Sequence, residues 1–101
     1  MKVYLKRRGS NVCAAGEYNP ASKELVIKAG SVVSESIAYS EKFRGAKTIE
    51  KNREQYTKNG VVTVDVTFKS ASTAANFITG SSTNGLVAWK DENGTKLKDL
   101  I

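Results

Sequence analysis

Read for alternation of apolar and polar positions, the chain opens with short strands. Residues 3–8 predict a first strand that ends at Gly9-Ser10-Asn11, and residues 12–18 predict a second. Asn19-Pro20-Ala21-Ser22 has the composition of a turn, and Glu24-Leu25-Val26-Ile27-Lys28 follows as a β-branched strand. Ala29-Gly30-Ser31 closes this N-terminal meander. Residues 31–40 are serine-rich and read as a connecting loop, with a short strand open at Val32-Val33.

The period then lengthens. Residues 41–58 predict the main helix, with Asn59-Gly60 as its stop. At about 100° per residue, Ala46, Ile49 and Tyr56 fall on one side, while Arg44, Lys47, Lys51 and Lys58 fall within a sector of roughly 60° on the other. Residues 61–69 read as the clearest strand, because Val62, Val64, Val66 and Phe68 alternate with polar residues. Residues 70–79 predict a short helix capped by Ser70 or Ser72. It carries Ala71, Ala74, Ala75 and Ile78 as a small-residue stripe and ends at Gly80. After the polar loop Ser81-Ser82-Thr83-Asn84-Gly85, residues 86–90 read as another strand. Asp91-Glu92-Asn93-Gly94 is a turn, and Thr95 is placed to cap a last short helix bearing Leu97, Leu100 and Ile101. The expected class is α+β: small antiparallel sheets packed against one main helix and two short helices, in a single domain over 1–101.

Composition narrows the chemistry. An apolar fraction of 40% and a charged fraction of 26% argue against wholesale disorder. There is no histidine, so the commonest general base and the commonest metal ligand are both missing. The one cysteine, Cys13, has no partner for an internal disulfide. That absence predicts a reducing compartment, and the apolar context Val12-Cys13-Ala14-Ala15 predicts a buried, inert thiol. The N-terminal residues have no apolar run of signal-peptide type, and no stretch approaches a membrane span. A cytoplasmic, non-catalytic protein without cofactor or metal is the expectation. Asp91 and Glu92 lie in a turn and Asp65 on a polar strand face, so no carboxylate pair suggests acid–base work.

Charge points to a partner. Sixteen basic residues oppose ten acidic ones, for a net charge of +6, which favours an anionic ligand. Candidate nucleic-acid contacts are Lys6, Arg7 and Arg8 at the first strand, Arg44, Lys47, Lys51 and Lys58 along the helix, Ser82, Thr83 and Asn84 in the polar loop, and Lys90. Lysine and arginine neutralise phosphate, hydroxyls contact phosphate, and Asn84 has the bidentate geometry that reads a base edge. Each has a structural alternative. The stripe is also a solvated helix face, the 6–8 cluster a charge-protected strand edge, Asn84-Gly85 a tight turn, and Trp89 a core residue more readily than a stacking platform.

The segment from Phe68 to Leu100 carries a further signal. A serine-capped small-residue helix is followed by Gly80, a polar loop ending in Asn84-Gly85, Trp89-Lys90, the acidic-glycine turn Asp91-Glu92-Asn93-Gly94 and a leucine-bearing end. This pattern resembles domain-of-unknown-function family 4357, found C-terminal to GIY-YIG nuclease domains and in restriction-modification proteins. It is also similar to the RAMA (restriction-enzyme adenine-methylase-associated) domain. Gly16-Glu17-Tyr18 and Ala29-Gly30-Ser31 suit the family's opening hairpin. Leu86 stands where family members commonly have a large aromatic. The resemblance implies an accessory module of DNA-processing systems, with DNA and a nuclease or methyltransferase as partners. The alternative is a protein-interaction domain that docks a partner enzyme through an apolar patch around Leu86, Val87 and Trp89.

Overall fold

Alternating apolar residues with one buried face build the sheet of this computed structural model, which describes residues 1–7, 11–35, 37 and 46–101. Strand β1 spans Lys2–Lys6, β2 Cys13–Tyr18 and β3 Leu25–Ile27. Helix α1 spans Ala46–Tyr56, β4 Thr57–Lys58, β5 Val61–Val62 and β6 Val66–Phe68. Helices α2 (Ala71–Thr79), α3 (Gly85–Ala88) and α4 (Leu97–Leu100) complete the described elements. The class is α+β. A four-stranded antiparallel sheet in the order β1-β2-β3-β6 is accompanied by the β4–β5 hairpin. Among the described residues there are four helices rather than the expected three, because α3 replaces a strand.

The pleat sorts the side chains. Val3 and Leu5 lie opposite Gly16 and Ala14, and with Tyr18, Leu25, Ile27, Val66 and Phe68 they form the buried face. Lys2, Lys6, Cys13, Glu17 and Thr67 stand exposed on the other face, where Tyr4, Ala15 and Val26 are half-buried. Cys13 is thus exposed, contrary to the expectation from its apolar neighbours. Ala14, Gly16 and Tyr18 take the inner positions of β2, and a period of two leaves Cys13 outside.

Helix α2 closes the buried face with Ala71, Ala74, Ala75, Phe77 and Ile78. Ser70 caps it by accepting a hydrogen bond from the Thr73 amide at 3.1 Å, and Gly80 ends it in a left-handed conformation. Phe68 and Phe77 meet edge to face with centroids 5.1 Å apart. Ser72 does not cap the helix; its hydroxyl accepts from the Gly85 amide at 3.0 Å. That bond draws α3 against α2 so closely that a Cβ on Gly85 would stand 2.2 Å from the carbonyl carbon of Ala71. Trp89 is wholly buried, and its indole Nε1 donates to the Ala71 carbonyl at 3.0 Å.

Three expected elements differ. Residues 86–90 are not a strand. Asn84 caps α3 by accepting from the Leu86 amide, and the Trp89 amide donates to the Gly85 carbonyl to close the turn. The 61–69 strand is divided between two sheets: Val62 and Val66 are buried but Val64 is 50% exposed. Asp65 makes the break, accepting from the Ala29 amide at 2.8 Å and from Lys28 Nζ at 3.5 Å. Finally, Asn59-Gly60 does not stop a helix. Both residues have positive φ and link Lys58 to Val61 in the manner of a type I′ hairpin turn, so the helix ends at Tyr56. The predicted helix start at 41–45 lies outside the described residues. Val32 bridges Cys13 on one side and Val61 on the other, tying the hairpin to the main sheet. At α4, Lys96 rather than Thr95 takes the cap position, without a side-chain bond.

Candidate nucleic-acid interface

The outer face of β1 carries Lys2, Tyr4 and Lys6, since Val3 and Leu5 turn inward. One more residue extends the sheet past β1. The Tyr4 amide donates to the Lys90 carbonyl at 2.7 Å and the Lys90 amide returns a bond to the Tyr4 carbonyl at 2.9 Å. Antiparallel partners share a face, so Lys90 stands beside Tyr4 on the outer side. The turn after it is built by Asp91, whose Oδ1 accepts from the Asn93 and Thr95 amides, each at 2.9 Å. The chain then doubles back, with the Asp91 amide donating to Thr95 and the Leu97 amide to Trp89, so Lys96 lies opposite Lys90. Tyr4, Lys6, Lys90, Asp91 and Glu92, with Ala88 and Gly94, line an open cleft of about 380 Å³. Trp89, which precedes Lys90, is wholly buried and bonded to the Ala71 carbonyl of α2, which anchors the adjoining backbone.

The other expected contacts lie elsewhere. Lys47 and Lys51 are exposed on α1 but share a separate shallow depression of about 450 Å³ with Glu50 and Glu54, so opposite charges alternate along it. Lys58 is exposed in β4, not on the helix, and the basic stripe loses its last member. Arg8 and Arg44 lie outside the described residues. Arg7 is exposed just past β1, its amide donating to the Val12 carbonyl.

The polar loop is largely engaged in holding itself. The Thr83 amide donates to Asn76 Oδ1 at 2.8 Å, and its hydroxyl lies 2.7 Å from that of Thr79. Asn84 uses Oδ1 for the α3 cap. Ser82 is exposed. Tyr4, which lines the cleft, and Lys96, which pairs with Lys90 beside it, are residues that the sequence reading does not single out. The period-two position of Tyr4 between Lys2 and Lys6 is a readable signal for the first, whereas Lys96 needs the 90–96 pairing. Among the described residues, no group of three or more histidine, cysteine or acidic side chains is arranged to hold a metal ion. No described helix is long and apolar enough to cross a membrane.

Fold and cleft together define an α+β domain with one sheet face sealed by helices and the other open beside a lysine- and tyrosine-lined recess. The chain belongs to the family described as Domain of unknown function (DUF4357), whose model matches residues 4–101. No curated protein and no solved structure matches it.

Proposed function

We propose that this chain is a non-catalytic accessory module that binds DNA or another nucleic acid through the cleft beside β1. The setting we propose is restriction-modification or nuclease systems, alongside a nuclease or methyltransferase partner. The observation that carries this reading is the meeting of Lys6 and Lys90 around the half-buried Tyr4, with Lys96 opposite Lys90. Cations interleaved with an aromatic ring suit a phosphate backbone with bases beside it. The net charge of +6 and the resemblance of residues 68–100 to modules of DNA-processing proteins add support.

Fluorescence anisotropy with labelled DNA at two salt concentrations tests the reading. Affinity is expected to fall as salt rises, and the double variant Lys6→Ala/Lys90→Ala to lower the logarithmic salt slope by about 1.5. Absence of binding at low salt, or affinity indifferent to salt, overturns it. A second reading, docking of a partner protein, rests on Leu86 and Val87, which are exposed side by side on α3 at 38% and 36%. Trp89 contributes nothing to that patch because it is buried. Co-purification that survives nuclease treatment would favour this second reading.

A further inference from the structure

We infer that the cleft beside β1 receives an unpaired base, so that the preferred ligand is a single strand or an opened end rather than an intact duplex. This inference rests on the nucleic-acid reading above. Three observations carry it.

The first is shape. The major groove of a duplex is commonly read by a helix or a two-stranded ribbon that enters it. Here the lysines and Tyr4 surround a recess, and the helices nearest it, α3 and α4, have four residues each. A recess requires the base to come to the protein, which means leaving the stack. Its volume of about 380 Å³ lies in the range of small-ligand sites.

The second is surface. Tyr4 is half-buried on the sheet's outer face, held at its backbone by both bonds to Lys90. Ala88 and Gly94 add uncharged surface. An aromatic ring in such a recess is a sequence-tolerant platform for a base.

The third is the charge pattern. The lining carries Lys6 and Lys90 but also Asp91 and Glu92. A continuous rail for duplex phosphates would be weakened by two carboxylates. A nucleotide, in contrast, presents both signs: phosphate oxygens for the lysines and exocyclic amino hydrogens for a carboxylate. Asp91 Oδ1 already receives two backbone amides, which leaves Asp91 Oδ2 and the exposed Glu92 carboxylate to accept from the amino group.

The test compares one labelled DNA strand of about twelve nucleotides with its duplex, using the intact chain, Tyr4→Phe and Tyr4→Leu, each checked for folding by circular dichroism. The single strand is expected to bind about tenfold more tightly than the duplex. Tyr4→Leu should lower single-strand affinity about tenfold and lower duplex affinity far less, while Tyr4→Phe retains single-strand affinity. If Tyr4→Leu fails to fold, the unmodified chain is titrated with a strand carrying the fluorescent base aminopurine, which should become shielded from the soluble quencher acrylamide as it enters the recess. Equal or tighter duplex binding, an indifferent Tyr4→Leu or aminopurine that stays open to acrylamide in the complex would overturn the inference. Salt-dependent binding that persists in those outcomes leaves the broader nucleic-acid reading standing. No binding of either form at low salt overturns both.

Discussion

The two halves of the chain beyond residue 45 are held in place by opposite means. From Ser70 to Leu97, helices α2, α3 and α4 are joined by apolar burial and close backbone approach. Phe77, Ile78, Trp89 and Leu97 are almost completely buried, and Gly85 touches the α2 backbone. From Ala46 to Asp65, little apolar surface is available: Ala46 and Ile49 are the buried residues of α1. A half-buried arginine serves instead. The Arg53 guanidinium donates to the carbonyls of Ser34, Phe77 and Ile78 and to the Ser34 hydroxyl, at 2.9 to 3.3 Å. Two of those carbonyls are in the last turn of α2, where helical partners run out. One charged side chain therefore both fastens α1 and completes the end of its neighbour. Apolar contact tolerates small shifts, whereas a guanidinium fork depends on direction.

Substitution at Gly85 tests the first mode and carries the largest expected effect. Gly85→Ala would drive a methyl into the Ala71 backbone, where no flexible side chain can yield. We expect a loss of about 3 kcal/mol or more in denaturant unfolding. A loss below about 1 kcal/mol would show that α3 lifts off easily and is not part of the tight block.

Arg53→Met tests the second mode. It keeps the apolar stem but removes the guanidinium donor from the Phe77 and Ser34 carbonyls, while Ile78 keeps the Ser34 amide, for an expected cost of about 2 kcal/mol. Hydrogen exchange should accelerate across 46–58 more than across 71–79. Uniform acceleration, or none, would mean that α1 is held by its apolar contacts after all.

The smallest effect concerns Asp65, which holds the break between β5 and β6. The Ala29 amide lowers its pKa most, burial opposes that shift, and Lys28 adds to the lowering. With the folded value below the unfolded one, this stabilisation is present at neutral pH. It is lost as pH falls through the carboxylate range to the lowered folded value. Asp65→Asn keeps an acceptor for Ala29 without the charge, so unfolding midpoints measured down the acid limb should depend less on pH in the variant. An unchanged acid limb would remove Asp65 from the account.

The same contrast explains what could be read from the sequence. The ends of α2 are legible because Ser70 and Gly80 act on residues three or four positions away. The inner faces of β1 and β3 are legible because a strand's pleat is local. Residues 86–90 mislead: Leu-Val-Ala-Trp has strand composition, and only the distant Ser72 and Ala71 draw it into a helical turn. Val62 to Phe68 misleads for a related reason, since its alternation is real but Ala29 captures Asp65 midway. For the cleft, Lys6 and Lys90 are each identifiable as surplus charge. Their adjacency depends on the pairing of Tyr4 with Lys90, which joins opposite ends of the chain and leaves no trace in local spacing. The helical stripe is shorter than its spacing suggests, because Lys58 precedes a two-residue turn signal that suits a hairpin as well as a helix end.

The burial of Trp89 gives the molecule a built-in optical probe. It is the chain's one indole, sealed from water and donating to a carbonyl of α2. Its emission should sit toward the blue in the native state and move to the red when the α2–α3 contact opens, so a single wavelength follows that contact without any label.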